Sequence, residues 1–403
     1  MILKNLISRL FALTSSIVVI FASTSGFAET DNPLEFSGFA RVVAGYLDED
    51  NATFLGYNNS ISINQQTLVG LQADYQINDS LSATGQFIAR TGDDKDSDLE
   101  WLYLTYAPSK SLRFKLGRQR TPIFNYSEVV DVGFAYPWIS LPQQVYRTFL
   151  FPTYEGLHTQ YEYIGKKVSL GLEAYAGGTD KDFTSNGRVV DTHIDSLRGG
   201  VGTIGYKGWN FRVSYHRGHV DTNQSELNAF SNQLRQLGFT QSANSIKTAG
   251  VGRFYQASAF YEDVDYFFRT EVMQLKADLS LAPKTKGYFI SAGVNFDPIS
   301  VYASFSKDIN RYGQPSSEIP TGLSPQLDAL AFGYQQIFSQ SIDNDTKSYT
   351  IGLRWDWKQN LAFKVESTLL EENNALQGLF TTRDVNNFDG QAMLYQVAME
   401  WVF

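Results

Sequence analysis

The stretch YQVAMEWVF, residues 395–403, alternates large apolar side chains with small or polar ones. Tyr395, Val397, Met399, Trp401 and Phe403 share one parity, whereas Gln396, Ala398 and Glu400 share the other. A repeat of two residues is typical of a β-strand, whose successive side chains point to opposite faces. Because chain ends are usually frayed and polar, an apolar terminal strand must be tied into a sheet. The stretch therefore predicts a sheet whose outer face does not contact water.

The same alternation recurs along the rest of the chain and predicts sixteen strands. The predicted strands span residues 34–46, 66–77, 80–90, 98–108, 111–118, 154–164, 167–178, 196–206, 209–217, 250–262, 264–276, 285–296, 299–308, 347–357, 360–370 and 391–403. One face of these segments is apolar and the other carries the charges, as where Leu353 and Trp355 alternate with Arg354 and Asp356. A sixteen-stranded barrel is too wide for side chains to fill. Its charged face should therefore surround water, and its apolar face should contact lipid.

The predicted connections alternate between short turns and long loops. Short turns lie at 78–80, 108–110, 165–166, 207–208, 262–264, 297–298 and 358–360, and the notable long loops lie at 47–65, 119–153, 179–195, 218–249, 309–346 and 371–390. This alternation places the turns and both termini at one rim, as in bacterial outer-membrane barrels. The sequence thus predicts an all-β protein, a transmembrane antiparallel β-barrel with short periplasmic turns and long extracellular loops. A soluble sandwich or barrel is the alternative, since it also has many short strands.

Residues 1–28 have the pattern of a signal peptide. The basic residues Lys4 and Arg9 flank the start of the apolar run FALTSSIVVIFAS, and the small residues Gly26 and Ala28 fit a cleavage site. The run is short and interrupted by Ser and Thr, so a membrane anchor is the weaker alternative. We expect export and cleavage, with residues 29–403 forming one barrel in the outer membrane.

The composition argues against several classes of function. There is no cysteine, so the chain can form no disulfide, thiol nucleophile or thiolate metal site. A net charge of −9 disfavours nucleic acid as a partner. Among the histidines, His158 stands in a predicted strand and His193 in the predicted 179–195 loop, and only His216 and His219 are close together. A pair with that spacing can bind zinc on a helix, but here a strand ends. We therefore expect no enzyme activity, no cofactor and no metal.

The connection at 119–153 is expected to carry the function. Its sequence, QRTPIFNYSEVVDVGFAYPWISLPQQVYRTFLFPT, is too apolar for a disordered loop of this length. If it folds inward against the barrel wall, Glu128 and Asp131 would oppose basic wall residues, and opposed charges across a narrow waist set ion preference. The candidate wall residues are Arg41, Arg90, Arg113, Lys115, Arg118 and Arg120. The alternative is that the acids are solvated and the basic residues form ordinary cross-strand pairs.

One long loop contains a candidate helix. The segment SELNAFSNQLRQLGF, residues 225–239, has an apolar stripe at helical spacing. The stripe consists of Leu227, Phe230, Leu234 and Leu237. Such a helix could form a lid over the mouth of the barrel or pack on its rim.

Two features of the sequence resemble known families. The terminal stretch, with Tyr395, Trp401 and Phe403, resembles the C-terminal signature of outer-membrane β-barrel proteins. That resemblance implies that these residues are an assembly signal for the barrel-assembly machinery. The sixteen-strand plan, with a long apolar loop after the fifth strand, resembles the general porins of Gram-negative bacteria. LGRQRTP (116–122), at the entry to that loop, and GFAYPW (133–138) look like the start of this loop in porin-like proteins of marine and related bacteria.

The resemblance to porins implies a function. It predicts a homotrimer in outer-membrane lipid that passes small hydrophilic solutes and ions by passive diffusion. A channel specific for phosphate, another anion or a sugar remains the alternative. Arginine rows favour anions and aromatic residues favour sugars, and this sequence has both Arg113 with Lys115 and many tyrosines.

Overall fold

The computed structural model describes residues 32–92, 97–148, 151–185, 188–339, 341–373, 378–382 and 387–403. The predicted signal peptide, residues 1–28, lies outside the described residues. Within these ranges, no helix is long and apolar enough to cross a membrane.

Sixteen strands close into a single antiparallel barrel, which confirms the predicted fold class. The barrel strands are β1 (Leu34–Leu47), β3 (Leu68–Asn78), β4 (Leu81–Arg90), β5 (Asp98–Ser109), β6 (Leu112–Arg120), β7 (Thr153–Ile164), β8 (Val168–Ser185), β9 (Arg188–Tyr206), β10 (Trp209–Thr222), β11 (Ala249–Glu262), β12 (Tyr266–Ala277), β13 (Lys284–Phe296), β14 (Ile299–Arg311), β15 (Asn344–Lys358), β16 (Leu361–Glu372) and β18 (Gln391–Val402). Two short strands, β2 (Ala52–Thr53) and β17 (Thr381–Thr382), pair with each other outside the barrel. Each barrel strand pairs with the barrel strands before and after it, so the ladder has no free edge.

The C-terminal strand closes the barrel, as its alternation predicts. Strand β18 pairs with β1 from Leu394 opposite Leu47 to Val402 opposite Phe39. Beyond it, the Phe403 amide donates to the Gly38 carbonyl at 2.9 Å, and the Gly38 amide donates back at 2.7 Å. The Phe403 ring lies so close to Gly38 that a Cβ there would be 2.5 Å from it. Glycine at this position therefore allows the terminal aromatic ring to lie on the first strand.

The two faces of the barrel differ as the sequence indicates. Side chains such as Ile351 and Trp357 are exposed on the outer face, whereas Lys364 and Glu366 are buried on the inner one. Near the short-turn rim, Trp357, Tyr266 and Phe403 are 53%, 51% and 46% exposed. Exposed aromatic rings at that level are typical of the girdle at a membrane interface.

Two predicted loops have different bounds in the structure. The prediction of a loop at 179–195 is wrong for most of its length, because β8 continues to Ser185 and β9 begins at Arg188. His193 therefore lies in a strand. Paired residues such as Thr179 and Ile194 extend this hairpin beyond the predicted strands. Residues 179–195 are mostly polar and alternate over only a few positions, so the sequence pattern does not indicate that the two strands continue. The predicted 119–153 loop is slightly shorter, because β6 reaches Arg120.

The described loops contain four helices, α1 (Gln143–Tyr146), α2 (Ser225–Gln236), α3 (Thr240–Ser245) and α4 (Pro325–Phe338), and a 3-10 turn at Gly133–Ala135. Helix α2 confirms the helix predicted at 225–239. Leu227, Phe230 and Leu234 of its stripe pack with α4 in a cluster whose members all belong to loops. The fourth residue of the stripe, Leu237, is 52% exposed. Helix α4 begins where the Ser324 side chain accepts a hydrogen bond from the Leu327 amide at 3.3 Å. The candidate helix thus packs on a second loop helix, which the sequence analysis did not identify.

Candidate functional site

Residues 121–152 connect β6 to β7, and this β6–β7 loop contacts inward-facing side chains of distant strands. The Trp138 ring nitrogen donates to Ser304 of β14 at 2.8 Å. On another part of the wall, Arg212 of β10 donates to the Ile123 carbonyl at 2.8 Å. Arg212 is buried, while its neighbour Val213 is 61% exposed on the outer face. The loop backbone therefore lies within the ring of strands at both contacts.

Aromatic packing holds the middle of the loop. The buried cluster joins Phe124, Tyr126, Tyr136, Trp138 and Tyr146 of the loop to Phe254, Phe267, Phe289 and Tyr302 of the wall. The Trp138 ring meets Phe289 edge-on, with centroids 5.5 Å apart and planes at 83°. Edge-to-face pairs add about 0.5–1.5 kcal/mol to the burial of the rings. The apolar residues that make this loop unusual in the sequence are thus those that pack on the wall.

Lys364 of β16 fixes the loop through its backbone. Its ammonium group donates to the carbonyls of Gly133, Tyr136 and Trp138 at 2.8, 2.7 and 2.8 Å. It also lies 2.5 Å from Glu400 of β18, and neither side chain is exposed. An ammonium has three donors, so the three carbonyls use all of them while Glu400 supplies the compensating charge.

Three further wall residues also hold the backbone of the loop. Together with Lys364 they are called the anchor below. Arg41 donates to the Ile139 carbonyl at 2.6 Å and lies 3.3 Å from Glu400. Glu366 accepts hydrogen bonds from the Ile139 amide at 2.6 Å and from the Tyr302 hydroxyl at 2.9 Å. Arg354 donates to the Phe134 carbonyl at 2.7 Å. These contacts satisfy loop backbone groups that have no secondary-structure partner.

The last part of the loop is held by neutral and charged hydrogen bonds. The Tyr146 hydroxyl donates to Glu271 at 2.7 Å, and burial holds the pKa of Tyr146 well above its ordinary value, so the hydroxyl stays protonated. Ser348 donates to the Gln144 side chain at 3.0 Å. Arg147 lies 2.7 Å from Asp308 of β14.

Asp131 belongs to a buried four-member ion cluster. It contacts Arg120 closely and lies 3.2 Å from Arg90. Glu100 bridges the same two arginines at 2.6 and 3.2 Å. All four side chains are at most 9% exposed. Two positive and two negative groups make the cluster electrically neutral, so it compensates its own charge.

The alternation of the sequence does not mark Glu100 as part of this group. In the β4–β5 ladder, Gln86 pairs with Trp101 and Phe87 pairs with Leu99, so Glu100 is the unpaired residue of a bulge. A bulge redirects a side chain that strict alternation would place on the other face.

Glu128 lies in different surroundings from Asp131. Its carboxylate is 4.0 Å from the Lys115 ammonium of β6, and the two side chains are 50% and 17% exposed. The ammonium also lies 5.1 Å from the centre of the Tyr103 ring on β5. This pair is therefore open to solvent on the inner face of the wall.

Two of the predicted wall residues do not contact the loop. Arg113 forms a cross-strand pair with Glu162 at 2.7 Å, near the short-turn end of β6. The prediction that Arg118 faces the waist is wrong. Register pairs Arg118 with Glu155, next to the exposed pair Leu116 and Leu157, so Arg118 lies on the outer face. Its parity with Leu116 was a signal for this placement.

The pair His216 and His219 forms no shared site. His216 is buried on the inner face, 2.7 Å from the Tyr175 hydroxyl, whereas His219 lies on the opposite face of β10. Among the described residues there is no group of three or more His, Asp or Glu side chains placed to hold a metal ion.

Comparisons with known proteins give related barrels. A family profile described as Gram-negative porin matches residues 12–375. The anion-selective porin from Comamonas acidovorans superposes with a TM-score of 0.55 at 12% identity, over 92% of this chain and 99% of that one. Salmonella typhi OmpF, solved in complex with daunomycin, gives 0.54 at 13% identity, over 92% and 98%. OmpT of Vibrio cholerae, in its trimer form, gives 0.53 at 11% identity, over 92% and 99%.

No curated protein matches the chain significantly in sequence. At identities this low, the solved structures support the fold alone. The family profile covers most of the chain, and the chain folds as a closed sixteen-stranded barrel. The chain therefore belongs to the Gram-negative porin family, whose members are channels of the bacterial outer membrane.

Proposed function

We propose that the protein is a passive diffusion channel for small hydrophilic solutes and ions, and not an enzyme. The observation that carries this proposal is the β6–β7 loop, which contacts the inner wall at β10, β14 and β16 and presents the exposed Glu128–Lys115 pair. A loop anchored across a wide barrel leaves a narrower water path beside its unattached face.

The proposed water path passes Glu128, Lys115 and Tyr103. Glu128 of the loop and Lys115 of the wall are opposite charges that meet without being buried, and Tyr103 lies beside Lys115. At 4 Å two unit charges interact by about 1 kcal/mol in bulk water and by about 4 kcal/mol at an effective dielectric constant of 20. A solvent-exposed charge in a confined path can therefore bias which ions enter.

In this proposal, the other predicted site residues have supporting roles. The Asp131 cluster with Arg90 and Arg120 holds the loop, because its charges are buried and mutually compensated. Arg41 anchors the loop backbone. Arg113 contributes a positive charge nearer the short-turn end.

We also propose that the protein is a homotrimer in outer-membrane lipid, inserted by the barrel-assembly machinery. The trimer form of the structurally similar OmpT supports the oligomeric state. The exposed positions of Tyr395 and Phe403 on the closing strand support a role in recognition before the barrel closes.

Planar-bilayer recording tests the channel proposal. The purified protein should give discrete conductance steps in salt, and these should persist when phosphate or neutral sugars are added. Saturable block by one of these solutes would instead favour the solute-specific channel. A protein that inserts and yields no conductance would contradict both.

A further inference from the structure

The first and last barrel strands, β1 and β18, meet in a seam that no turn connects. Arg41 lies opposite Glu400 in this ladder, and Val43 lies opposite Ala398. Bringing together strands from the two ends of the chain costs more loop-closure entropy than pairing neighbours that a short turn joins. The seam is therefore the strand pair that gains most from contacts outside its own ladder.

Ile139 of the β6–β7 loop packs across the seam on its inner side. It is fully buried, and it forms a small cluster with Val43 of β1 and Ala398 of β18. Its carbonyl accepts a hydrogen bond from Arg41 of β1 at 2.6 Å. Arg41 in turn lies 3.3 Å from Glu400 of β18. One loop residue thus contacts both strands through its side chain and is linked to their buried ion pair through its backbone.

The loop residues on either side of Ile139 also contact the seam. The Ser140 hydroxyl lies 3.2 Å from the side-chain oxygen of Gln396 on β18, and the Gln66 amide donates to that hydroxyl at 3.0 Å. Gln66 directly precedes β3, which pairs with β1 on its other side. A Cβ at Gly133 would collide with the Glu400 carboxylate, so glycine allows the loop to lie against the seam there.

The surface that receives the loop exists only when the seam is closed. Val43 and Arg41 come from β1, whereas Ala398, Gln396 and Glu400 come from β18. Separating the two strands would divide the apolar cluster and part the ion pair. Because coupling between two events is reciprocal, a loop that binds only the closed seam must also stabilise its closure.

We propose that the β6–β7 loop has a second function, in which Ile139 and Ser140 form a clamp that holds the β1–β18 seam closed. Closure of the barrel and docking of the loop are then one coupled event. An open seam cannot hold the loop in place, and a displaced loop leaves the seam more prone to open. This inference goes beyond the proposed conductance, and its test does not measure current.

Hydrogen exchange of the purified protein in detergent, read by mass spectrometry, measures opening of the seam. Ile139→Ala should speed exchange of the β1 and β18 amides by about tenfold or more, because truncating a buried aliphatic side chain costs more than a factor of ten in an equilibrium constant. Val145→Ala is the matched control. Val145 is equally buried in the same loop but packs in the aromatic cluster, so its truncation should leave exchange at the seam unchanged.

An engineered disulfide identifies the motion that exposes these amides. The chain has no cysteine, so V42C/M399C introduces a single pair of thiols. Val42 and Met399 lie opposite each other on the exposed outer side of the seam. In the oxidised protein the acceleration caused by Ile139→Ala should disappear. A disulfide at V294C/V301C, which joins opposite residues of β13 and β14, should leave that acceleration in place.

Three results would overturn the proposal. They are unchanged seam exchange in Ile139→Ala, an equal rise in Val145→Ala, and an acceleration that persists under the seam disulfide. Should Ile139→Ala fail to fold, Ser140→Ala removes the contacts to Gln396 and Gln66 without a large cavity, and unchanged seam exchange in that variant would equally contradict the clamp. A folded protein without conductance would contradict the channel and leave these exchange results as they are.

Discussion

Two acidic residues of the β6–β7 loop, only three positions apart, have opposite surroundings. Asp131 is 8% exposed and contacts two arginines, whereas Glu128 is 50% exposed and lies 4.0 Å from a single lysine. Removing one partner of a buried ion pair leaves an uncompensated charge, so Asp131 resists displacement. An exposed pair is screened and weak, so Lys115 holds Glu128 much less firmly. Opposite charges therefore hold the loop in one place and, in the proposed channel, face the solute path in another.

Deleting the middle of the β6–β7 loop, together with Glu128 and Asp131, should have the largest effect on the channel. Replacing residues 124–146 by a short Gly/Ser linker removes the aromatic packing and the contacts to Lys364. We expect a wider pore, measured as higher single-channel conductance and weaker discrimination between solutes. The barrel itself should still show heat-dependent gel mobility, because its strand ladder is intact. Unchanged conductance would contradict the role of the loop at the waist.

Breaking the anchor alone should have the next largest effect. Lys364→Met leaves three buried carbonyls without their donor and Glu400 with Arg41 at 3.3 Å as its remaining basic neighbour; breaking a buried pair costs about 3–5 kcal/mol. We expect a lower midpoint for the heat-induced gel shift and noisier channel openings. The matched control Lys358→Met removes an exposed lysine at the turn rim and should change neither.

Substituting Glu128 and Asp131 one at a time tests whether the two acids have different roles. Glu128→Gln should move the reversal potential under a salt gradient towards anion preference, because an exposed fixed carboxylate attracts cations. Its thermal stability should not change. Asp131→Asn should lower stability by about 1–3 kcal/mol, because Arg90 and Arg120 lose one of the two carboxylates that compensate their buried charges. Equal shifts of reversal potential with equal stability would show that the two acids are not functionally distinct.

Substitutions of basic residues on the two faces of β6 should have the smallest effects on the reversal potential. The double variant R113Q/K115Q should move the reversal potential moderately towards cations, since both side chains are on the inner face. Arg118→Gln removes the same type of charge from the outer face and should leave the reversal potential unchanged. A shift with Arg118→Gln as large as with the double variant would place Arg118 in the pore and contradict its assignment here.

Alternation in the sequence was sufficient to predict the barrel. The period of two in segments such as residues 395–403 is a local property, and pairing of neighbours in chain order needs no further information. The same reasoning failed at residues 179–195, where the strands continue through a polar segment. It also did not identify Glu100, because a bulge has no signature in side-chain polarity. The assembly role of Trp401 and Phe403 stays a prediction.

The sequence by itself determined the number of strands, the charged and apolar faces, and the apolar character of the 119–153 connection. These depend on each residue's polarity and its parity with near neighbours. The tertiary structure decided which charges meet, since Gly133 and Lys364 are far apart in the chain and adjacent in space. It also decided that Asp131 is buried while Glu128 is exposed. Burial depends on the elements that surround a side chain, and the order of residues along a loop does not contain that information.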